Sequence, residues 1–220
     1  MTRPEGLPES AAEQLALFEA PVPAGLKILR GFAGDIAGDV IKAVASVTDA
    51  APFRQMQVPG GGTMSVAMSN CGAAGWVTDK SGYRYSPLDP LSGSAWPAMP
   101  EIVRDLAVRA AGAAGFTAFA PDACLINRYE PGARMGLHQD RDEVDFDAPI
   151  VSVSLGLPAT FLFGGRKRSD PQARLALFHG DVVVWGGAAR LAYHGIAPLR
   201  DGLHDALGRQ RFNLTVRKAR

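Results

Sequence analysis

Hydrophobic and polar residues alternate with two different periods along this chain of 220 residues. In the first half, apolar positions recur at helical spacing in two segments, which predicts helices over residues 35–47 and 100–114. After residue 120 the spacing shortens to two, which is typical of strands with one buried face. Runs bounded by Gly, Pro or Asp predict strands at 123–129, 150–157, 159–164, 173–179, 181–186, 191–196 and 210–218.

Many short strands at close spacing favour a sandwich or a barrel. We therefore predict an α+β fold in which residues 120–218 form a double-stranded β-helix (jelly-roll) core, with the helices packed outside one sheet. Residues 52–100 are rich in glycine, proline and aromatic residues, which predicts turns and short strands that cover this core. Residues 1–25 are interpreted as an N-terminal extension with one helical turn begun at Ser10, ahead of a single domain over residues 26–220.

Composition excludes several classes of protein. Lys and Arg number 23 against 22 Asp and Glu, so the net charge of +1 gives no global basic field. Any contact with nucleic acid must therefore come from a local patch. Cys71 and Cys124 lack the spacing of a zinc or redox motif. No apolar run approaches the roughly 18 residues of a membrane span, and we expect a cytoplasmic monomer with no membrane partner.

The segment LHQDRDE, residues 137–143, sets a histidine two residues from an aspartate. In an extended chain these side chains point the same way, so His138 and Asp140 can present their ligand atoms to one metal ion. They match the first two ligands of the two-histidine, one-carboxylate triad that binds Fe(II) in oxygenases. Because H-x-D is short and occurs by chance in many proteins, a solvated loop is the alternative.

A third metal ligand would have to come from a distant strand. His194 lies late in the LAYHGI run, ahead of the last strand, and is the best candidate by position. His179 ends a strand at a His-Gly-Asp turn, which favours a structural imidazole. His204 lies in a turn-rich stretch, where we expect it to be exposed to solvent.

Two predicted strands carry one polar face. In RFNLTVR, residues 211–217, apolar and polar side chains alternate, so this strand is either a sheet edge with one face in water or has its polar face inside the barrel. Inside, its two arginines would need a counter-anion, since an isolated buried charge is very unfavourable. ACLINRY repeats the pattern, and together the strands indicate a small acidic ligand. Their polar-side residues are Leu125, Asn127, Tyr129, Arg211, Asn213, Thr215 and Arg217.

These motifs resemble those of a known family. NRYEPGARMGLHQDRDE, then LAYHG, then RFNLTVR are similar to the N-x-Y, H-x-D, H and R-x-N-x-T-x-R pattern of the AlkB family of Fe(II)- and 2-oxoglutarate-dependent oxygenases. The likeness extends through segments such as FRQMQVPGGGTMSVAMSNCGAAGW and HGDVVVWGG, over residues 26–218. Several spaced motifs in the right order make the resemblance specific.

The resemblance implies roles for the candidate residues. His138, Asp140 and His194 would bind the Fe(II) at which O2 reacts. Arg211 would bind the distal carboxylate of 2-oxoglutarate, and Arg217 would belong to both the catalytic and the cosubstrate-binding residues. The residues implied to line the cosubstrate and nearby groups are Asn127, Tyr129, Asn213 and Arg217.

On the substrate side, the resemblance makes the segment that covers the core a nucleotide-recognition lid. Trp76 would stack on an extruded base, with Tyr83 and Tyr85 near the base and the backbone. Asp142 would meet the exocyclic nitrogen of the base, and Arg168, in the basic loop GGRKRSDPQAR, would face a phosphate. Without the resemblance, the plainer interpretations are a packed tryptophan, hairpin tyrosines and solvated charges.

The activity that the resemblance implies is oxidative demethylation of 1-methyladenine and 3-methylcytosine in single- or double-stranded DNA, with RNA left open. 2-Oxoglutarate and O2 would become succinate and CO2, and the methyl group would leave as formaldehyde. One alternative is an oxygenase that hydroxylates a protein or a small molecule, against which the lid tryptophan and the basic loop argue. The other is a jelly-roll binding protein without metal, against which the complete triad argues.

Overall fold

The computed structural model of the chain describes residues 23–220, so the predicted turn at Ser10 lies outside the described residues. The division between an extension and a domain stays a prediction. Both predicted helices are present, as α1 (Ala37–Ala50) and α2 (Glu101–Ala113). Helix α1 begins later than predicted because a 3-10 turn, Gly34–Ile36, precedes it.

All seven predicted strands form, although the run at 191–196 contributes only its last three residues. Within residues 23–220 the strands are β1 (Leu26–Leu29), β2 (Arg54–Gln57), β3 (Thr63–Gly72), β4 (Gly75–Asp79), β5 (Gly82–Ser86), β6 (Ala123–Tyr129), β7 (Met135–His138), β8 (Ile150–Gly156), β9 (Ala159–Phe163), β10 (Ala173–Leu177), β11 (Val182–Trp185), β12 (His194–Ile196) and β13 (Arg211–Arg217).

The core consists of two antiparallel sheets. The larger has seven strands in the order β1-β11-β8-β13-β6-β3-β2, and the smaller has four in the order β10-β9-β12-β7. From β6 onward the chain passes back and forth between the sheets, with four of these strands in each. This is the arrangement of a jelly roll, and the predicted fold class is confirmed.

The larger sheet is buried on both faces because its side chains alternate between two cores. Its outward residues, such as Leu214 and Val153, pack with the apolar sides of α1 and α2, including Val44 and Leu106. Its inward apolar residues pack with the smaller sheet, including Phe161. The helices therefore lie outside one sheet, as predicted, and leave the space between the sheets for the site.

Strand β13 lies in the middle of the larger sheet and not at its edge. It pairs with β6 on one side and β8 on the other, and all seven of its residues are buried. The interpretation of this strand as a half-solvated edge is therefore wrong. Its polar face, with Asn127 and Tyr129 of β6, points into the barrel.

Strand β7 was not predicted, although it carries the first candidate metal ligand. Its sequence, MGLH, is short and has a glycine at its second position, so no alternation is visible. It pairs with β12, where Gly195 allows a close approach: a Cβ on Gly195 would lie 2.7 Å from the carbonyl oxygen of Met135. Glycine at this position therefore lets strands β7 and β12, which carry His138 and His194, pair closely.

The segment 52–100 contains the predicted short strands. Strands β2 and β3 extend the larger sheet, and β4 and β5 form a separate hairpin. Trp96 is buried and donates through Nε1 to the carbonyl oxygen of Ser86, which attaches the end of the segment to this hairpin. No helix within residues 23–220 is long and apolar enough to span a membrane.

Leu106→Ala should lower the free energy of unfolding by about 2–5 kcal/mol, because Leu106 is fully buried between α2 and the sheet and its loss leaves a cavity. Val108→Ala is the matched control on the same helix, since Val108 is 38% exposed. Urea denaturation of both variants measures the difference. Equal losses would contradict the proposed packing of α2.

Candidate active site

Three candidate metal ligands meet at the mouth of the barrel. His138 ends β7 and lies opposite His194, the first residue of β12, and Asp140 follows two residues after His138. The Nε2 atom of His138 is 3.6 Å from Oδ1 of Asp140, and that of His194 is 3.8 Å from Oδ2. All three ligand atoms lie within 4.8 Å of one another, so one ion can contact all of them.

Backbone carbonyl groups orient both imidazole rings. Nδ1 of His138 is 2.9 Å from the carbonyl oxygen of Gly136, and Nδ1 of His194 is 3.0 Å from that of Ala192. A carbonyl oxygen only accepts hydrogen bonds, so each Nδ1 carries the proton and each Nε2 keeps its lone pair. Both histidines therefore present Nε2 as a metal ligand, with the ring held by a second contact.

The charge states of the triad suit a divalent cation. Burial acts to raise the pKa of Asp140, but the charges of Arg217, His194 and His138 outweigh burial and hold this pKa well below its ordinary range. Burial, reinforced by His138, lowers the pKa of His194 to about 4. At neutral pH the triad offers an ionised carboxylate and a neutral buried imidazole, the forms that bind metal.

The other two histidines pair with each other away from the triad. Nδ1 of His179 accepts a hydrogen bond from the backbone N–H of Gly156 at 3.0 Å, which confirms a structural role for this imidazole. The ring of His204 lies 4.4 Å from that of His179 and is half-buried, so the expectation of an exposed His204 is wrong.

A small cavity, partly open to solvent, extends from the triad into the barrel. It reaches the inner face of β6 and β13, so the two strands with one polar face both border it. Trp185 also lines the cavity, with its ring 5.0 Å from that of His194. The predicted cosubstrate residues that line it are Asn127, Tyr129, Asn213 and Arg217.

Arg211 is a buried cation with unsatisfied hydrogen-bond donors. Its side chain is 1% exposed, and Nη2 donates to Oγ of Ser154 at 3.1 Å. Nε and Nη1 are buried and have no hydrogen-bond partner in the structure. Burial lowers the pKa of Arg211 to about 10, so it is still charged at neutral pH. The guanidinium carbon is 5.9 Å from the ring of Tyr129, a residue of the cavity wall.

Arg217 lies at the other end of the same strand and is fully engaged. Nε and Nη2 both donate to Oδ2 of Asp140, at 2.9 and 2.7 Å. The two arginines of β13 therefore do not share one anion: Arg217 meets a carboxylate of the protein, and Arg211 retains free donors. A cosubstrate contact of Arg217 stays a prediction.

Outside the triad a larger pocket opens toward the lid. Four of the five predicted substrate residues line it: Trp76, Tyr83, Asp142 and Arg168. Nε1 of Trp76 donates to Oδ2 of Asp142 at 2.8 Å, and the rings of Trp76 and Tyr83 stack with centroids 5.6 Å apart. The structure thus brings a hairpin, the segment after β7 and the basic loop to one opening beside the metal ligands.

The fifth predicted substrate residue, Tyr85, does not line this pocket, although it lies opposite Trp76 in the β4–β5 hairpin. Burial raises the pKa of its phenol well above the ordinary value, so the hydroxyl keeps its proton and donates to Oε1 of Glu143 at 2.7 Å. The hydroxyl is also 3.4 Å from Nη1 of Arg217. A contact between Tyr85 and substrate stays a prediction.

The sequence did not reveal two further residues of this region. Glu143 ends the segment LHQDRDE, for which a solvated loop is the alternative interpretation, yet its side chain is 2% exposed and is paired with Arg190, 3.1 Å away and itself 3% exposed. Arg190 also donates to the carbonyl oxygen of Asp140 at 2.7 Å. Glu143 and Arg190 are 47 residues apart, and nothing in the sequence around either residue indicates that they form an ion pair.

Comparison with known proteins agrees with this geometry. The family model of the 2OG-Fe(II) oxygenase superfamily matches residues 25–217. The chain is 58% identical over 202 residues to the alpha-ketoglutarate-dependent dioxygenase AlkB of Escherichia coli, covering 92% of this chain and 94% of that one. The chain belongs to the AlkB family of 2OG-Fe(II) dioxygenases.

Two other relatives give the same result. An AlkB homologue of Caulobacter vibrioides is 44% identical over 182 residues, covering 82% of this chain and 81% of that one. The solved structure of OsALKBH1 superposes with a TM-score of 0.77 at 28% identity, covering 90% of this chain and all of that chain. The enzyme class predicted from the motifs, and its requirement for Fe(II), 2-oxoglutarate and O2, are thereby confirmed.

The residues present fit the two groups that an AlkB-family dioxygenase requires. Fe(II) needs the two Nε2 atoms and the carboxylate that the triad presents. 2-Oxoglutarate is a dianion, and Arg211 is a buried cation whose free donors lack an acceptor. A carboxylate near Arg211 would satisfy both the charge and the hydrogen bonds of this side chain.

His194→Ala should abolish stoichiometric binding of Fe(II) or Co(II), because one of three ligands is lost from a site with its other ligands fixed in place. His179→Ala is the control, since His179 bonds to the backbone of Gly156 and not to the triad. Metal content after anaerobic loading measures both. Retention of a full equivalent of metal by His194→Ala would remove this residue from the metal site.

Arg211→Ala should weaken 2-oxoglutarate binding by about 1.5–3 kcal/mol, since it deletes a charge-assisted hydrogen bond, and this corresponds to roughly a tenfold to a hundredfold loss of affinity. Arg209→Ala is the matched control, because Arg209 is exposed and pairs with Asp201. Titration of 2-oxoglutarate into anaerobic, metal-loaded protein gives both affinities. An unchanged affinity in Arg211→Ala would contradict the assignment.

Proposed function

We propose that this dioxygenase oxidatively demethylates 1-methyladenine and 3-methylcytosine in DNA, as a direct-reversal repair enzyme, and that RNA is a further substrate. The observation that carries the proposal is the opening beside the triad, where an aromatic ring, Trp76, and a carboxylate, Asp142, are hydrogen-bonded to each other. An aromatic face and a hydrogen-bond acceptor are what a nucleobase requires for stacking and edge recognition.

Fe(II) and 2-oxoglutarate, when bound, would supply hydroxylation of the methyl group by O2, with conversion of 2-oxoglutarate to succinate and CO2. The resulting N-hydroxymethyl base then loses formaldehyde: the bond between carbon and ring nitrogen breaks, and the hydroxyl proton leaves. The protein contributes the position of the methyl group. Trp76 and Tyr83 stack at the pocket, and the triad lines the same opening through His138 and Asp140.

The chemistry of the two lesions fits the charges of the pocket. Methylation at N1 of adenine or N3 of cytosine makes the ring a cation and leaves an exocyclic amino group beside the methyl group. Asp142 offers a carboxylate for this amino group, and burial of the base beside it is electrostatically favourable. A base whose pairing edge is blocked is also extruded from a duplex at less cost, which adds to the selectivity.

Contact with the nucleic acid backbone is assigned to the basic loop and not to the overall charge, which is +1. Arg168 is exposed and lines the opening, so it can meet a phosphate next to an extruded base. Single- and double-stranded DNA are both included in the proposal, together with a monomeric state and a cytoplasmic location. Neither an oxygenase for proteins or small molecules nor a metal-free binding protein has support.

The central experiment compares oligonucleotides that differ at one base. A single 1-methyladenine or 3-methylcytosine should stimulate succinate formation and release formaldehyde, whereas the unmodified oligonucleotide should do neither. Trp76→Ala should weaken binding of the lesion oligonucleotide by about 1–3 kcal/mol, because base stacking is lost. Its turnover of 2-oxoglutarate without oligonucleotide should survive. Loss of that basal turnover would make Trp76 a packing residue.

Asp142→Ala should change the ratio of 1-methyladenine to 3-methylcytosine repair more than it changes the binding of either lesion, because the exocyclic amino group that the carboxylate meets is carried by a purine in one lesion and by a smaller pyrimidine in the other. Asp105→Ala, an exposed aspartate of α2, is the control. Repair of both lesions in otherwise identical oligonucleotides measures the ratio. Equal slowing of both lesions by Asp142→Ala would assign lesion choice to other residues of the lid.

A further inference from the structure

The segment between β7 and β8 carries a metal ligand and a substrate residue without a β-ladder to hold it. Residues 139–149 have no helix or strand. The backbone N–H groups of Asp147 and Ala148 bond to the side chain of Asp145, and that of Val144 reaches Ala219 at 3.4 Å. These contacts lie in the second half of the segment, so the first half, with Asp140, must be fixed by side chains.

One arginine bridges both halves of this segment. Arg190 donates from Nη1 to the carbonyl oxygen of Asp140 at 2.7 Å and from Nε to that of Ala148 at 3.0 Å. Its Nη2 reaches Oε2 of Glu143 at 3.1 Å, and its guanidinium lies 5.3 Å from the ring centre of Phe146. The planar guanidinium of an arginine reaches the three acceptors from three separate nitrogens, whereas a lysine donates all of its hydrogen bonds from one nitrogen and cannot span them.

Glu143 connects Arg190 to two further residues, Tyr85 and Arg217. Its Oε1 accepts from the hydroxyl of Tyr85 at 2.7 Å and lies 3.4 Å from Nε of Arg217, whose Nη2 holds Asp140. Asp140 is therefore held twice, by Arg217 through its carboxylate and by Arg190 through its main chain. The charges of the two buried carboxylates, Asp140 and Glu143, are balanced by those of the two buried guanidinium groups, Arg190 and Arg217. This balance is required because an unpaired charge in a barrel interior is strongly unfavourable.

We propose that Arg190 is a positioning residue for the dioxygenase reaction. It fixes the main chain at Asp140 and, through Glu143, ties the lid hairpin at Tyr85 to the metal ligand. Arg190 is not among the residues that line the cosubstrate cavity or the outer pocket, so its effect passes through Asp140 and Glu143. The inference rests on the metal site, and its primary test needs no nucleic acid.

The experiment compares Arg190→Lys with Arg30→Lys. Arg30 is a matched control because its Nη1 likewise joins a backbone carbonyl, of Ala176 at 2.7 Å, and a buried carboxylate, of Asp181 at 2.6 Å, and Arg30 lines neither the cosubstrate cavity nor the outer pocket. Arg190→Lys should lower kcat for 2-oxoglutarate turnover without oligonucleotide by about tenfold to a hundredfold, the usual effect of losing a residue behind a metal ligand. KM for 2-oxoglutarate should not change, and Arg30→Lys should retain wild-type kcat.

Amide hydrogen exchange of the apoprotein supplies a readout that is independent of activity. In Arg190→Lys, exchange should become faster at residues 139–149 and stay at the wild-type rate in β8 and β13. Uniformly faster exchange across the domain, or an unchanged kcat, would overturn the proposal. If Arg190→Lys does not fold, the double variant Glu143→Gln with Arg190→Met replaces it, because it removes both charges of the buried pair and should fold. If neither variant folds, the role of Arg190 is in folding alone.

The outcomes separate this inference from the proposed function. If wild-type turnover is not stimulated by 1-methyladenine oligonucleotide, the proposed substrate is wrong, while the comparison of Arg190→Lys with Arg30→Lys still decides the role of Arg190. If stimulation is present and Arg190→Lys retains both kcat and local exchange protection, the substrate proposal stands and the positioning role is excluded.

Discussion

The interior of a β-barrel admits charge only where another charge balances it, and this constraint accounts for most of the site. An unpaired buried ion costs several kcal/mol, so the carboxylate of Asp140 requires partners from the protein. Arg217 supplies two hydrogen bonds from the central strand β13, and the triad histidines lie on the opposite sheet. The jelly roll positions these groups because its two sheets face each other at one mouth, and the cavity between them is lined by Tyr129, whose ring lies 5.9 Å from the guanidinium carbon of Arg211.

The same constraint explains why the side chains of the site are already oriented and charged for a metal ion and an anion. Backbone carbonyl groups select the tautomers of His138 and His194, so both Nε2 atoms are available before any metal arrives. Arg211 is the complementary case, a buried cation whose free donors have no acceptor. The triad therefore favours a cation and Arg211, next to the cavity wall at Tyr129, favours an anion, and a metal with a dicarboxylate would meet both requirements. The lid adds an aromatic surface on which a flat base can stack.

Alternation and spacing in the sequence were sufficient for the fold class and for seven of the eight jelly-roll strands, because each of these strands leaves a periodic trace. The metal ligands needed the family resemblance as well, since H-x-D alone left a solvated loop open. The two orientations of RFNLTVR could not be distinguished by period alone, since an edge strand and a strand facing a polar cavity read identically; pairing of β13 on both sides decided this. Strand β7 was missed because four residues with one glycine show no alternation. Glu143 and Arg190 were missed because long-range pairing of charges in loops leaves no local pattern.

We propose that the site binds a dianion through the metal at the triad and through Arg211, whose Nε and Nη1 have no hydrogen-bond partner in the structure. This proposal is tested most directly by titrating anaerobic, Mn(II)-loaded protein with 2-oxoglutarate and with 2-oxopentanoate, which has the same chain length but a methyl group in place of the distal carboxylate. The structure predicts that 2-oxopentanoate binds about tenfold to a hundredfold more weakly, since it leaves the donors of Arg211 unsatisfied. Equal affinities for the two acids would contradict the claim.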